Sequence, residues 1–219
     1  MSNKFNILIL GDGFICSYLY RYFLKLKINT FVASHSSKNN YAFKIDDNLK
    51  DIFNEVRPTV LINTTSVSSY QNQNKSLFKR INYDFFDLTL ILAKKFNCKY
   101  IFFSSSYVFS GKKGNYRETD FPDSSINYSL SKLYAEKKLV KYRNSIIVRC
   151  DTVYGQCHIT GKIRVGTNLL ENLIVNFPEV IRKPICVNDI PKILIKLIHK
   201  DYVGIINIAG TKKYSLKKL

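Results

Sequence analysis

Tyr128 and Lys132 stand four residues apart in a stretch, Ile126 to Tyr142, whose pattern predicts a helix. That spacing puts both side chains on one helical face. A phenol beside an ammonium is a proton-transfer pair, because the positive charge favours phenolate and pulls down a pKa that starts near ~10. Such a tyrosine acts as general acid when a carbonyl is reduced and as general base when an alcohol is oxidised. Ser105 lies in Ser104-Ser105-Ser106, just past a predicted strand from Lys99 to Phe103. In a parallel sheet the C-terminal strand ends border the ligand crevice. A hydroxyl there can bond to a substrate oxygen on which charge develops.

A second site-forming segment is Gly11-Asp12-Gly13-Phe14-Ile15-Cys16, which follows the apolar run Asn6 to Leu10. Glycines after a strand and before a helix let backbone N–H groups approach a pyrophosphate, and the helix N-terminus favours its charge. Cys16 stands where the usual fingerprint has its last glycine. The second strand runs out into Ala33-Ser34-His35-Ser36-Ser37-Lys38, with no carboxylate to bind ribose hydroxyls. Ser34, Ser36 and Lys38 suit a 2′-phosphate instead, so NADPH is expected, with NADH as the alternative. Asp46 is read as an adenine contact or as a capping aspartate.

These residues need a scaffold that brings strand ends together. The pattern predicts strands at Asn6–Leu10, Thr30–Ala33, Thr59–Ile62, Lys99–Phe103, Ser145–Val148 and Gly204–Ile208. Helices are predicted from Phe14 to Leu26, Asn48 to Glu55, Leu77 to Phe96, Ile126 to Tyr142, Val165 to Phe177 and Asn188 to His199. Strands alternating with long helices predict an α/β fold: a doubly wound, mostly parallel Rossmann sheet covered on both faces.

Other chemistries find little support. The cysteines at 16, 98, 150, 157 and 186 form no CxxC pair, and His35, His158 and His199 are far apart. No metal site is expected. No apolar run nears the ~20 residues of a membrane span, and the N-terminus reads as a strand rather than a leader, so a cytoplasmic protein is expected. The chain of 219 residues carries 34 Lys and Arg against 16 Asp and Glu, a formal charge of +18. That favours anionic ligands. The lysines are dispersed rather than gathered in one arm, so nucleic acid is not expected as the partner.

Order and context make the match specific. Phe103-Ser104-Ser105-Ser106-Tyr107-Val108-Phe109-Ser110-Gly111, Tyr116-Arg117-Glu118-Thr119-Asp120, and Asn127-Tyr128-Ser129-Leu130-Ser131-Lys132 with Glu136 resemble segments of the extended short-chain dehydrogenase/reductase superfamily. Asn63-Thr64-Thr65, Asn82, Arg149 with Val153-Tyr154-Gly155, and Pro184 to Ile190 extend the likeness. Within the superfamily, also known as the NAD-dependent epimerase/dehydratase family, the likeness is to the dTDP-4-dehydrorhamnose reductase group.

The resemblance implies catalytic Ser105, Tyr128 and Lys132. It implies a cofactor site at Gly11, Gly13, Phe14, Ile15, Asn63, Thr64 and Thr65, shared with Tyr128 and Lys132. A nucleotide-diphospho-sugar would meet Ser105, Ser106, Tyr107 and Arg149, with Lys162 and Arg164 as further candidates. The implied reaction is reduction of a C4 keto group on a nucleotide-linked 4-keto-6-deoxy sugar. Ser106 and Tyr107 follow the serine where dehydratases of the superfamily carry acids, which argues against dehydration. A sugar epimerase of the same superfamily is the runner-up, and a noncatalytic cofactor-binding subunit is a third reading. Residues 1–155 are expected to be the NAD(P)-binding domain. Residues 156–219 are expected to form a reduced substrate-binding region interleaved with the last sheet elements. A homodimer through the helix bearing Tyr128 and Lys132 is also implied.

Overall fold

The computed structural model describes residues 5–34, 43–44, 49–67, 75–156, 163–165 and 181–215. The chain opens with β1 (Asn6–Leu10), α1 (Phe14–Lys25) and β2 (Asn29–Ser34). Then follow β3 (Phe43–Lys44), α2 (Leu49–Val56) and β4 (Val60–Asn63). A long helical stretch comes next: α3 (Lys75–Lys79), a π-helical segment (Arg80–Phe85) and α4 (Phe86–Lys95). β5 (Lys99–Ser105) leads through a 3₁₀ turn (Ser106–Val108) to α5 (Asn127–Leu139) and β6 (Ser145–Cys150). The remaining elements are β7 (Val153–Gln156), β8 (Ile163–Val165), β9 (Ile181–Arg182), β10 (Ile185–Cys186), α6 (Asp189–His199), β11 (Gly204–Ile208) and β12 (Tyr214–Ser215).

Seven strands pair in the order β11-β6-β5-β4-β1-β2-β3, every pair parallel. The sheet is therefore the doubly wound one expected. Its order reverses beside β1, where β4 lies on one side and β2 on the other, and ligands bind at such a switch point. Three shorter strands form a second sheet, β10-β7-β8, and β12 pairs antiparallel with β9.

Period-two alternation builds two cores from one strand. Ile7 and Ile9 pack with Leu19 and Phe23 of α1 and with Ile190 and Leu194 of α6. Leu8 and Leu10 face the other way, onto Phe53 of α2, Phe86 and Leu90 of α4, and Leu139 of α5. These side chains are almost fully excluded from water. Each contributes roughly 1.5–3 kcal/mol of transfer free energy. Cys16 is fully buried in the first of these cores. The thiol is thus taken up as a small apolar side chain between helix and sheet.

Helix α5 buries polar residues beside its apolar Ala135 and Leu139. Ser129, Ser131, Lys132 and Glu136 are all at most 4% exposed. A polar helix face is driven inward only where the sheet supplies partners, because an unpaired buried polar group costs about 1–3 kcal/mol.

Three expectations need correction. The helix expected from Leu77 to Phe96 begins at Lys75 and is interrupted by π geometry at Arg80–Phe85. The physical reason is Asn82. Its amide is turned onto the backbone of Val67, accepting from Val67 N at 2.9 Å and donating to Val67 O at 2.7 Å. Strand β5 runs on through Ser105 rather than stopping at Phe103, because its pairing with β6 extends to Ser105 opposite Cys150. The short strands β3, β7, β8, β9, β10 and β12 were not anticipated. Two to four residues carry too little alternation to register. The helix expected over Val165 to Phe177 lies outside the described residues beyond Val165. No helix among the described residues is long and apolar enough to cross a membrane. No cluster of three or more potential metal ligands occurs among them either.

Candidate active site

The C-terminal ends of β1, β4 and β5 converge on one crevice. After β1, Gly11 adopts φ +108°, and its amide donates to Ala33 O at 2.9 Å. A Cβ at Gly11 would lie 2.7 Å from Thr64 Oγ1, so glycine is required both by conformation and by contact. Gly13 is different: φ is −74°, and a Cβ there would meet nothing within 4 Å. Its bareness leaves space rather than relieving a clash. It precedes α1, whose first turn has no acidic residue and whose N-cap side makes no side-chain hydrogen bond. The start of α1 therefore carries no side-chain cap or carboxylate, and a helix N-terminus favours an anion. This cradle fits a dinucleotide pyrophosphate.

At β4 the expected cofactor residues brace one another. Asn63 is 1% exposed. It donates to Tyr100 Oη at 2.9 Å and accepts from Thr65 N at 2.9 Å and Thr65 Oγ1 at 2.7 Å. Thr64 Oγ1 donates to Leu10 O at 2.7 Å. The side chain of Asn63 therefore shapes the turn from inside, while Thr64 and Thr65 stand half-buried at its surface. Asn82 Nδ2 also donates to Ser131 Oγ at 3.2 Å, which ties this turn to α5. Between them lies a cavity of about 10 Å³, lined by Asn63, Thr65, Asn82, Ser131 and Lys132 among others. That is room for about one water molecule with polar partners.

Ser105, Tyr128 and Lys132 come together as expected from order and spacing. Ser105 is buried at the end of β5, and its Oγ accepts from Tyr107 N at 3.2 Å. Tyr128 is half-buried, and its phenol pKa is pushed up to about 12. Burial is the main cause, opposed by hydrogen bonds to Ser66 and Ser105. Lys132 Nζ donates to Phe103 O at 2.9 Å and lies 5.5 Å from the centroid of the Tyr128 ring. Burial pushes its pKa down to about 7, against a raising influence from Glu136. Sequence reasoning had the ammonium lowering the phenol. In this geometry burial is the leading influence on both groups, raising the phenol and lowering the lysine.

Ser106 and Tyr107 also face this region. Ser106 Oγ donates to Asp151 Oδ1 at 3.3 Å, and the Tyr107 carbonyl accepts from Ser129 Oγ. Arg149 does not join them at the surface. It is 4% exposed, and its Nη2 donates to Glu136 Oε2 at 2.7 Å, with its Nε shared between both carboxylate oxygens. Its guanidinium also lies 5.0 Å from the Phe109 ring centroid. The side chain is committed to the interior, and the substrate role expected for it gives way to a structural one. Ser34 is fully buried at the end of β2. That is a poor position for a phosphate ligand. Lys38, Asp46 and Lys162 lie outside the described residues, and Arg164 is described only as part of the backbone of β8.

The sequence reading missed Ser66, Asp151 and Arg182. Arg182 lies over the Tyr107 ring, 4.3 Å from its centroid, and its Nε is buried with no hydrogen-bond partner among the described residues. Asp151 Oδ2 accepts from Lys183 N at 3.0 Å, which draws β9 toward Ser106. Nothing local marks these residues. Strand pairing of β9 with β12 and the Asp151 tether act across about thirty positions.

Fold and site together define a doubly wound protein of the NAD-binding type with a Ser–Tyr–Lys crevice. The chain belongs to the NAD dependent epimerase/dehydratase family, whose model matches residues 7–200. No curated protein matches it. Among solved structures it is similar to a hypothetical dTDP-4-dehydrorhamnose reductase from Sulfolobus tokodaii. There the identity is 23%, over 96% of this chain and 78% of that one, with a TM-score of 0.79. A Thermus thermophilus UDP-glucose 4-epimerase in complex with NAD is 15% identical over 96% and 80% of the two chains, with a TM-score of 0.77. L-threonine 3-dehydrogenase from Trypanosoma brucei is 18% identical over 97% and 77%, with a TM-score of 0.80. At these identities the likeness is one of fold.

Proposed function

We propose that this protein is an NAD(P)-dependent enzyme that oxidises or reduces a hydroxyl-bearing carbon of a nucleotide-diphospho-sugar. The observation that carries the reading is the convergence of Ser105, Tyr128 and Lys132 beside the bare glycine turn. Gly13, Phe14 and Ile15 would hold the pyrophosphate with backbone N–H groups, Gly11 would shape the turn beneath it, and Thr64 and Thr65 would flank it. The bound nicotinamide supplies the hydride acceptor or donor. Lys132 would hold the nicotinamide ribose. Ser105 orients the reacting oxygen, and Tyr128 exchanges a proton with it at its Oη. Arg182 replaces Arg149 as the expected ligand of the sugar's diphosphate. The strongly basic chain favours encounter with such an anion.

Two outcomes of this chemistry remain in the reading. Epimerisation comes first, favoured by the match to the epimerase/dehydratase family over residues 7–200. Its hydride leaves and returns, so no net coenzyme is consumed. Net reduction of a 4-keto-6-deoxy sugar is the second, favoured by the motif Val108-Phe109-Ser110-Gly111 after the serines. NADPH is then the expected donor. The two-domain division at residue 155 and pairing of two copies through α4 and α5 belong to the proposal. Leu88, Ile91 and Leu130 stand exposed on those helices.

The test is incubation with nucleotide-linked sugars and their 4-keto forms, with product analysis and coenzyme stoichiometry. A stereoisomer formed without net coenzyme change identifies an epimerase. One coenzyme oxidised per product identifies a reductase. Coenzyme binding without product from any member of the panel would reject the enzymatic reading in favour of a noncatalytic subunit.

A further inference from the structure

Three ionisable groups on or against α5 form a buried array beyond the Ser–Tyr–Lys crevice. Tyr128, Lys132 and Glu136 follow one another at four-residue steps, so they share a helical face. Lys132, Glu136 and Arg149 are each 4% exposed. Glu136 is saturated by its partners. Oε1 accepts from Ser104 Oγ at 2.5 Å and from Arg149 Nε at 3.1 Å, and Oε2 accepts from Arg149 Nη2 at 2.7 Å. Three consecutive residues of β5 thus do three things. The Phe103 carbonyl holds Lys132, the Ser104 hydroxyl holds Glu136, and Ser105 meets Tyr128.

The charges in this array do not cancel. Arg149 is paired with Glu136, and Lys132, bonded to the Phe103 carbonyl, feels the same carboxylate one helical turn away. The titratable groups that raise the phenol of Tyr128 are Tyr107 from the 3₁₀ turn and Cys150 from β6, and Asp151 beyond β6 raises Cys150 in turn. Cys150 is itself held neutral by burial. The π-helical segment contributes the neutral Asn82 to the cavity that Lys132 lines. Glu136 is the group that opposes the desolvation of Lys132.

We propose that Glu136 and Arg149 are opposing positioning residues for Lys132: the carboxylate keeps the ammonium charged beside Tyr128, and the guanidinium limits that influence by sharing the same carboxylate. Opposite charges placed close by favour the charged form, and like charges disfavour it. The array therefore sets the pH range in which the cation of the crevice exists. The consequence for catalysis rests on the proposed role of Lys132, but the electrostatic relationship does not.

The experiment is a pH titration of the Lys132 side chain by NMR in protein labelled at lysine Cε, the resonance being assigned by its loss in Lys132→Arg. Glu136→Gln is expected to lower the midpoint by at least about one unit. Arg149→Met is expected to raise it, and Arg149→Lys to leave it near the wild-type value. Shifts of the same sign in Glu136→Gln and Arg149→Met, or no shift in either, overturn the proposal. A buried ion left alone is destabilising. Should Glu136→Gln fail to fold, the two Arg149 variants decide, and an unmoved midpoint in Arg149→Met overturns the proposal. Coenzyme affinity measured across the same pH range gives the functional arm. Its decline with rising pH is expected to move with the Lys132 midpoint in each variant. Absence of coenzyme binding at every pH would reject the proposed function, while the titration would still decide the role of Glu136 and Arg149.

Discussion

The ammonium of Lys132 donates to the carbonyl of Phe103 at 2.9 Å, one helical turn along α5 from Tyr128. The strand that ends in Ser105 thus also anchors the lysine. Ser105, Tyr128 and Lys132 are fixed to one another through β5 rather than through α5 alone. The crevice is thus anchored at the C-terminal end of an interior strand of the sheet, the kind of fixed placement that a preorganised site uses.

Removing the phenol oxygen isolates its chemical role. Tyr128→Phe keeps the ring, and the ring is what Lys132 approaches. Turnover is expected to fall at least ~100-fold, the scale of general acid–base catalysis. Coenzyme affinity, measured by fluorescence titration, is expected to stay within about threefold of wild type. Rates near wild type would remove Tyr128 from the mechanism.

The low pKa of Lys132 has a consequence for stability. In the unfolded chain the lysine titrates near its ordinary value of 10.5, and in the folded protein burial lowers it to about 7. Between these values the unfolded state binds the extra proton. Stability from this residue therefore rises with pH through that window. Lys132→Met, which cannot titrate, is expected to lose that rise. Urea unfolding of both proteins at neutral and mildly alkaline pH checks it. An equal slope in the variant would contradict the assignment.

Two glycines two residues apart should fail differently. Gly11→Ala meets Thr64 Oγ1 and must hold φ +108°. A cost of about 1–3 kcal/mol is expected in chemical unfolding. Gly13→Ala has open space and an ordinary φ. Its stability should change by less than ~0.5 kcal/mol. Its methyl group would nevertheless occupy the approach to α1, and coenzyme affinity should fall at least about tenfold, because backbone approach to a pyrophosphate needs that space. Equal stability losses in the two variants would refute the distinction.

In the proposed function Arg182 takes the substrate role that the sequence reading gave to Arg149. Arg182→Met is expected to raise the KM for a nucleotide sugar about tenfold or more with little change in coenzyme affinity, because a charge-assisted bond to phosphate is worth about 1.5–3 kcal/mol. Steady-state kinetics with the substrate found in the panel measures it. An unchanged KM would leave the buried Nε of Arg182 without the ligand proposed here.

The contrast between these two arginines shows what the sequence makes legible. Ser105, Tyr128 and Lys132 were readable because strand end and helical spacing are local, and the glycine turn was readable because it directly follows β1. The outcome for Arg149 was not, since its register on β6 gives no sign that Glu136 waits on the facing helix. Arg182 owes its place over Tyr107 to β9 and to Asp151, which are remote in sequence. The π segment was equally hidden: one asparagine inside an otherwise helical pattern does not mark a distortion, and only its bonds to Val67 reveal it. Ser34 looked like a phosphate ligand at a strand end, but burial at the sheet's interior takes its hydroxyl away from solvent.

The most direct test of the central claim follows the nicotinamide absorbance in rapid mixing of coenzyme-loaded protein with a panel of nucleotide-linked sugars, in wild type and in Tyr128→Phe. The account predicts an absorbance change with at least one sugar, transient for an epimerase and lasting for a reductase, that is strongly slowed in the variant. An unslowed change in Tyr128→Phe, or bound coenzyme and bound sugar with no hydride movement in wild type, would contradict it.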